Sequence, residues 1–71
     1  MKQLHAICMD DKSGRWFLGL DRSNGDPVWI HQKFVGSGAD QFGLLAYNKF
    51  EDAEVSAAKI GDGAYALTIN Y

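Results

Sequence analysis

A single segment of this chain has the periodicity of an α-helix, and it lies among segments that alternate like β-strands. Within residues 48–63, four apolar side chains recur at steps of three, four and three, at Phe50, Ala53, Ala57 and Ile60. At 100° per residue these positions fall on one stripe of a helix, which is the expected core face. Gly61 follows directly, where a helix end favours positive φ. One short helix can cover one face of a small sheet and leave the other uncovered.

Four other segments have the composition and the alternation of β-strands. They are residues 2–9, 15–21, 28–34 and 64–71. Gly14 and the Asn24-Gly25 pair supply turns between the first three, because glycine takes the positive φ that tight hairpins need. These three strands are therefore expected to form an antiparallel meander.

The segment between the third strand and the helix is the least regular part of the sequence. Residues 35–43 contain three glycines, Gly36, Gly38 and Gly43, which weaken any regular element and predict a loop. Residues 44–47 can be a short strand or the approach to the helix. The predicted fold is α+β and a single domain, residues 1–71. It has an antiparallel sheet of four or five strands with one short helix packed on one face, in the order β-β-β-(β)-α-β.

Length and composition indicate a small globular chain and exclude few partners. A chain of 71 residues buries only roughly 60% of the surface that its unfolded form exposes. The net charge of −2 is too small to exclude any class of partner. Cys8 is the only cysteine, and no segment has the features of a secretory signal or the roughly 18 to 20 apolar residues of a membrane helix. A cytoplasmic protein without membrane contact is expected.

The polar residues offer no convincing catalytic or metal site. His5 and Cys8 are three apart on a predicted strand, so their side chains point to opposite faces and cannot share a metal ion. A nucleophile pair of Cys8 and His31 is conceivable, but nothing specifies a third orienting group or an oxyanion site. The glycines of residues 36–43 match neither a P-loop nor a dinucleotide fingerprint. A non-enzymatic protein with no cofactor and no metal is expected.

The large aromatic side chains outnumber the space beneath one short helix, which indicates a partner surface. Phe17 and Trp29 each point away from the apolar neighbours on their own strands, so both are expected on the uncovered face. The glycine-containing loop can fold over a partner from the same edge. The candidate partner-binding residues are Phe17, Trp29, His31, Asp40 and Phe42.

The same aromatic side chains leave an alternative open, a weak single-stranded nucleic-acid binder that stacks bases on the sheet. Such modules pair their rings with Lys and Arg side chains that neutralise phosphates. Two neighbouring pairs of this kind occur in the predicted strands, Arg15 with Trp16 and Lys33 with Phe34. The seven cations are nevertheless spread along the whole chain. This distribution favours a protein partner, and a homodimer is also possible.

Two stretches of the chain resemble short accessory proteins of bacteriophages and prophages. They are AYNKFEDAEVSAAKIGDGAYALTI, residues 46–69, and the upstream RWFLGLDRSNGDPVWI, residues 15–30. The shared pattern is a pair of strands, then a helix that begins with an aromatic residue and is rich in acids and alanines, then a glycine at the helix end and a last strand. The resemblance implies a small binder in the bacterial cytoplasm that blocks or adapts a larger host complex, with anti-CRISPR inhibitors as the sharpest example.

Overall fold

The computed structural model describes residues 3–21, 23–34 and 42–70, and it shows an antiparallel sheet with one helix packed on it. The elements, in chain order, are β1 (Gln3–Asp11), β2 (Gly14–Asp21), β3 (Pro27–His31), a 3-10 turn (Gln32–Phe34), β4 (Phe42–Leu44), β5 (Ala46–Tyr47), α1 (Phe50–Ile60) and β6 (Tyr65–Asn70). The predicted α+β class is confirmed. The sheet has six strands instead of four or five, because the segment before the helix contributes two short ones.

Turn chemistry in the sequence accounts for both hairpins. Between β1 and β2, the Asp11 carboxylate accepts hydrogen bonds from the backbone N–H and the hydroxyl of Ser13, at 2.8 and 2.6 Å. Gly14 then takes a φ of 124°, which side chains rarely tolerate. Between β2 and β3, the N–H of Gly25 donates to the carbonyl of Asp21 at 2.6 Å, and Gly25 has a φ of 76°. Both glycines occupy the positive-φ positions that hairpin turns require.

The strands β1 and β2 pair only near their shared turn, and residues 42–47 fill the fork where they diverge. The β1–β2 pairing ends at the pair of Cys8 with Phe17. Beyond it, β4 pairs with β2, and β5 pairs with β1. The chain passes from one pairing to the other at Leu45, whose N–H donates to the carbonyl of Leu18 at 3.1 Å. The two alternatives left open for residues 44–47 are thereby resolved, since this stretch pairs as strand on both sides of Leu45.

The sheet has two packed faces, of which α1 covers one. On this helix face, the buried cluster consists of Ile7, Leu18, Ala53 and Ala57. On the opposite or far face, the buried cluster consists of Ala6, Cys8 and Phe17, surrounded by Leu4, Leu44, Tyr65, Leu67 and Ile69. Every member of the far-face cluster belongs to a strand. Side chains of the strands alone therefore form the far-face cluster, whereas the cluster on the helix face lies between the sheet and the helix.

The expected placement of Phe17 and Trp29 on one uncovered face is wrong in two respects. The register of β2 and β3 pairs Leu18 with Trp29, and residues directly opposite in antiparallel strands share a face. Trp29 consequently packs against the cluster on the helix face. Phe17 does lie on the far face, but its side chain is only 8% exposed because Cys8 and Ile30 flank it across the two neighbouring strands.

The helix stripe is buried at its centre and exposed at its ends. Ala53 and Ala57 are buried, and their small side chains let the helix approach the sheet closely. Phe50 and Ile60, the two end members of the stripe expected to face the core, are each 38% exposed. Gly61 ends the helix with a φ of 73° and donates its N–H to the carbonyl of Ala57. Within the described ranges, no helix is long and apolar enough to cross a membrane.

The third predicted strand is shorter than expected. Its alternation suggested a strand over residues 28–34, but the strand ends at His31 and residues 32–34 form a 3-10 turn. The His31 ring contributes to this change, since its Nδ1 accepts a hydrogen bond from the N–H of Lys33 at 3.2 Å. A side chain that binds the backbone two residues later favours a turn over an extended strand.

Candidate partner-binding groove

An apolar groove lies between the second half of α1 and the strands β2 and β3. Its volume is about 340 Å³, within the range of ordinary ligand and side-chain pockets. Its walls come from four parts of the fold: strand β2 (Leu18, Leu20), strand β3 (Pro27, Trp29), the segment that includes β5 (Leu45, Tyr47) and the helix itself (Ser56, Lys59, Ile60).

The groove exists because the helix is placed to one side of the sheet. α1 packs across β1, β5 and β6, and its contact residues Ala53 and Ala57 are too small to reach further. Strands β2 and β3 carry larger side chains on the same face, notably Leu18 and Trp29. The helix lies close to the sheet at these alanines, whereas larger side chains project from the sheet beside it. The space between the helix and these side chains is the groove. Ile60, one turn beyond Ala57, stands at its helix side.

The groove offers apolar surface to solvent along both walls. Leu20 on the strand side and Ile60 on the helix side are each 38% exposed, while Trp29 and Tyr47 are half-buried. Burying such surface is favourable in water, and apolar clefts of this size are common binding sites.

One cation stands at the wall of this apolar groove. Lys59 lies in the last turn of α1, where the partial negative charge of the helix C-terminus favours a positive side chain. No carboxylate of the described residues is paired with it. Ser56, one turn earlier, adds a hydroxyl to the same wall. The groove can therefore take an apolar group with a carboxylate beside it.

The candidate residues from the sequence do not come together at this groove. Trp29 lines it, whereas Phe17 is buried on the far face and His31 lies beside the β1–β2 turn. Asp40 lies outside the described residues. Phe42 belongs to β4 through its backbone, which pairs with Asp21, and its side chain is outside the description. One of the five candidates is thus placed in the groove.

His31 is a packing residue that joins the first hairpin turn to the 3-10 turn. It is 9% exposed, and its Nε2 lies 2.8 Å from the carbonyl oxygen of Ser13. Because Nδ1 accepts a hydrogen bond from the backbone of Lys33, Nε2 carries the proton and donates it to Ser13. The Trp16 ring packs edge-on at 4.8 Å between centroids. With both nitrogens occupied, the ring has no free group for a base or a ligand.

Cys8 and His31 cannot form the conceivable nucleophile pair. Cys8 lies opposite Phe17 on the far face, whereas His31 lies opposite Trp16, the residue before Phe17 in β2. Adjacent residues of a strand point to opposite faces. Burial raises the pKa of the Cys8 thiol to about 11, and the nearby Arg15 only partly offsets that effect. The thiolate needed for nucleophilic attack is therefore disfavoured in the folded protein.

The thiol of Cys8 is expected to resist alkylation in the native protein. At pH 8 the buried, protonated thiol should remain unmodified by iodoacetamide, while the unfolded chain in guanidinium should react to completion. Mass spectrometry of the intact chain measures the added group. Modification of the native protein at the rate of the unfolded chain would show that Cys8 is accessible and would contradict the burial.

The polar end of the far face is a solvated cluster. Arg15 Nε lies 3.5 Å from Asp10 Oδ1, and the Tyr65 hydroxyl donates to Asp10 Oδ2 at 3.0 Å. Partial burial and the hydrogen bond to Asp10 raise the pKa of Tyr65. Exposed ion pairs of this type contribute little to stability. In the described part of the chain, no group of three or more His, Cys, Asp or Glu side chains is arranged to hold a metal ion.

Comparison with known proteins gives no match to any protein-family model, curated protein or solved structure.

Several groove residues were not among the partner-binding candidates that the sequence indicated. Leu20, Tyr47, Lys59 and Ile60 come from three separated segments and meet only through the tertiary fold. Ile60 had a usable signal, because it is the last member of the helix stripe and stands next to Lys59. The stripe alone could not show that Ile60 extends past the sheet, so its exposure was not predicted.

Proposed function

We propose that this chain is a small non-enzymatic protein-binding module that docks its partner in the groove between α1 and strands β2 and β3. The observation that carries this proposal is the apolar groove, which is lined by the exposed side chains of Leu20 and Ile60 and by the half-buried Trp29. Interface energy is commonly concentrated in a few aromatic and aliphatic anchors set in such pockets.

The groove favours a partner segment that presents an apolar side chain next to an acidic one. The apolar side chain would fill the channel, and the carboxylate would pair with Lys59 at its wall. A charge pair at the rim contributes to orientation and association rate more than to affinity. The apolar contact therefore supplies most of the binding free energy.

A finer proposal is that the partner is a larger bacterial complex that this chain inhibits, in the manner of phage-encoded anti-CRISPR proteins. Its support is the sequence resemblance over residues 15–30 and 46–69. The small size of the chain, 7.9 kDa, and its apolar groove are compatible with a protein that acts by covering a working surface.

The alternative of a single-stranded nucleic-acid binder has less support. Base stacking needs aromatic rings exposed side by side together with nearby cations. Phe17 is buried on the far face, and Trp29 lies in the groove on the other face. Arg15 is engaged with Asp10, and Lys33 lies over the Phe34 ring at 5.1 Å. We therefore favour the protein partner.

The proposal is tested by quantitative capture from bacterial lysate with matched helix variants. The variant Ile60→Ser should lose the captured partner, because it removes an apolar wall of the groove. The matched control is Val55→Ser, which makes the same kind of change at a residue that is 56% exposed outside the groove. Mass spectrometry with isotope labels compares the captured proteins, and thermal melts establish that both variants fold.

With the purified partner, Leu20→Ser and Ile60→Ser should each weaken binding by more than about 1 kcal/mol, roughly fivefold in Kd. Added salt should change the Kd little, whereas contacts to phosphates would make the Kd rise steeply with salt. In a Trp16→Phe background, the fluorescence of Trp29 should shift on binding. Unchanged affinity in both groove variants would overturn the groove as the docking site. Strong salt dependence together with competition by oligonucleotides would favour the nucleic-acid alternative.

A further inference from the structure

Among the described strands, β6 forms an edge of the sheet and lacks the protective residues that edge strands usually carry. It pairs with β1 along one side over six consecutive residues, from Cys8 with Tyr65 to Gln3 with Asn70. No strand among the described residues pairs with its other side. Its sequence, YALTIN, contains no charged residue, proline or glycine. An edge strand of this kind presents a row of unpaired backbone groups to other chains.

The opposite edge of the same sheet is protected in several ways. Strand β3 is five residues long, begins with Pro27 and runs directly into the 3-10 turn that contains Lys33. Proline, charge and short length are devices by which natural sheets prevent edge-to-edge pairing. Edge β3 thus has residues that hinder pairing with another chain, and edge β6 lacks them.

Contacts within the same chain hold strand β6 in place. β1 fixes its inner side, the Thr68 hydroxyl is 2.9 Å from Nδ1 of His5, and α1 packs across the strand. A preorganised edge avoids much of the ordering cost of association. The edge is therefore suited to add a further strand without rearrangement.

The side chains of β6 are complementary to a second copy of the same strand. Antiparallel pairing about Leu67 opposes Leu67 with its own copy and Tyr65 with Ile69 on the far face. On the helix face it opposes Ala66 with Thr68. Every far-face pair is apolar and no like charges meet, so this register extends the far-face cluster across the junction.

We propose that β6 is a homodimer interface, in which two copies pair antiparallel about Leu67 to form one continuous sheet. The symmetry is a two-fold axis perpendicular to the sheet, so the same surface of each copy meets its equivalent. The groove between α1 and strands β2 and β3 lies on the other side of the helix and remains available in each copy. The dimer is therefore independent of the proposed partner binding.

The dimer is tested on the full chain by sedimentation equilibrium over a wide concentration range. The expected mass is twice 7.9 kDa at high concentration and 7.9 kDa on dilution. Hydrogen exchange should show amides of β6 that become protected as concentration rises, while amides of β3 do not change. A single species of 7.9 kDa at millimolar concentration would overturn the proposal. So would a dimer whose concentration-dependent protection lies in β3 or around the groove.

Two matched lysine variants locate the interface. Ile69→Lys places a charge on the β6 edge and should raise the dimer Kd by at least about tenfold, equivalent to about 1.4 kcal/mol. Val28→Lys makes the same change on the same face of β3, the other edge, and should leave the Kd within about twofold. Equal Kd values for Ile69→Lys and the unchanged chain, with both folded by circular dichroism, would overturn the interface. If Ile69→Lys fails to fold, hydrogen exchange of the unchanged chain still decides.

Discussion

Replacing Ile7 by alanine is expected to lower the free energy of unfolding by about 2 to 5 kcal/mol. The Ile7 side chain is fully buried and lies between the helix and the sheet, in contact with the cluster of Leu18, Ala53 and Ala57. The alanines of the helix are too short to move into the space that the lost atoms leave, so the cavity persists and adds to the transfer cost. Small domains have total stabilities of only about 5 to 15 kcal/mol, which makes this loss large.

Thermal melts and urea titrations of Ile7→Ala measure the effect. For a domain of this size, each 1 kcal/mol shifts the melting midpoint by roughly 4 to 8 °C. Val55→Ala is the control, because Val55 is 56% exposed on the outer side of α1 and should change the midpoint by a few degrees at most. Comparable losses for the two variants would mean that the helix does not bury the face described here.

Placing a methyl group at Gly19 is expected to destabilise the protein by about 1 to 3 kcal/mol or more. A Cβ atom there would lie 2.6 Å from the carbonyl oxygen of Gly43 and 2.6 Å from Cδ1 of Ile30. Gly19 lies in β2 between β3 and β4, so backbone surrounds it on both sides. The carbonyl of Gly43 can move only if β4 shifts in the fork, so the strain cannot be relieved by a side-chain rotation alone.

A double-mutant cycle identifies crowding as the cause of that loss. Ile30→Val removes Cδ1, one of the two atoms that the new methyl group would meet. The loss for Gly19→Ala combined with Ile30→Val should therefore be smaller than the sum of the two single losses, by about 0.5 kcal/mol or more. Chemical denaturation of the four proteins supplies the cycle. Strictly additive losses would show that Gly19 is not crowded by Ile30.

The helix was the most predictable element because its signals are local. The apolar steps and Gly61 place α1 at Phe50–Ile60, as the spacing indicated. The hairpin turns were equally readable, since Gly14 and Gly25 take the positive φ values that glycine permits. The exposure of Phe50 and Ile60 was not predictable, because it depends on how far the sheet extends beneath the ends of the helix.

The short strands β4 and β5 could not be assigned from the sequence. They contain only three and two residues, too few to show a period. Their pairing depends on the divergence of β1 and β2, which opens the fork that residues 42–47 fill. The groove was beyond sequence analysis for the same reason, because its walls come from segments far apart in the chain and only Trp29 was among the candidates.

The sequence by itself determined which residues share a face within each strand and along the helix, because side-chain direction follows the local periods of 2 and 3.6 residues. For example, Phe17 and Leu18 point to opposite faces of the sheet, and so do Trp29 and Ile30. Only the tertiary structure decided which face the helix covers. The register that pairs Leu18 with Trp29 is set by contacts between separate strands, and a slip of one residue would send each side chain to the other face. Trp29 therefore lies in the groove beside α1 because of strand pairing, which no local pattern in the sequence specifies.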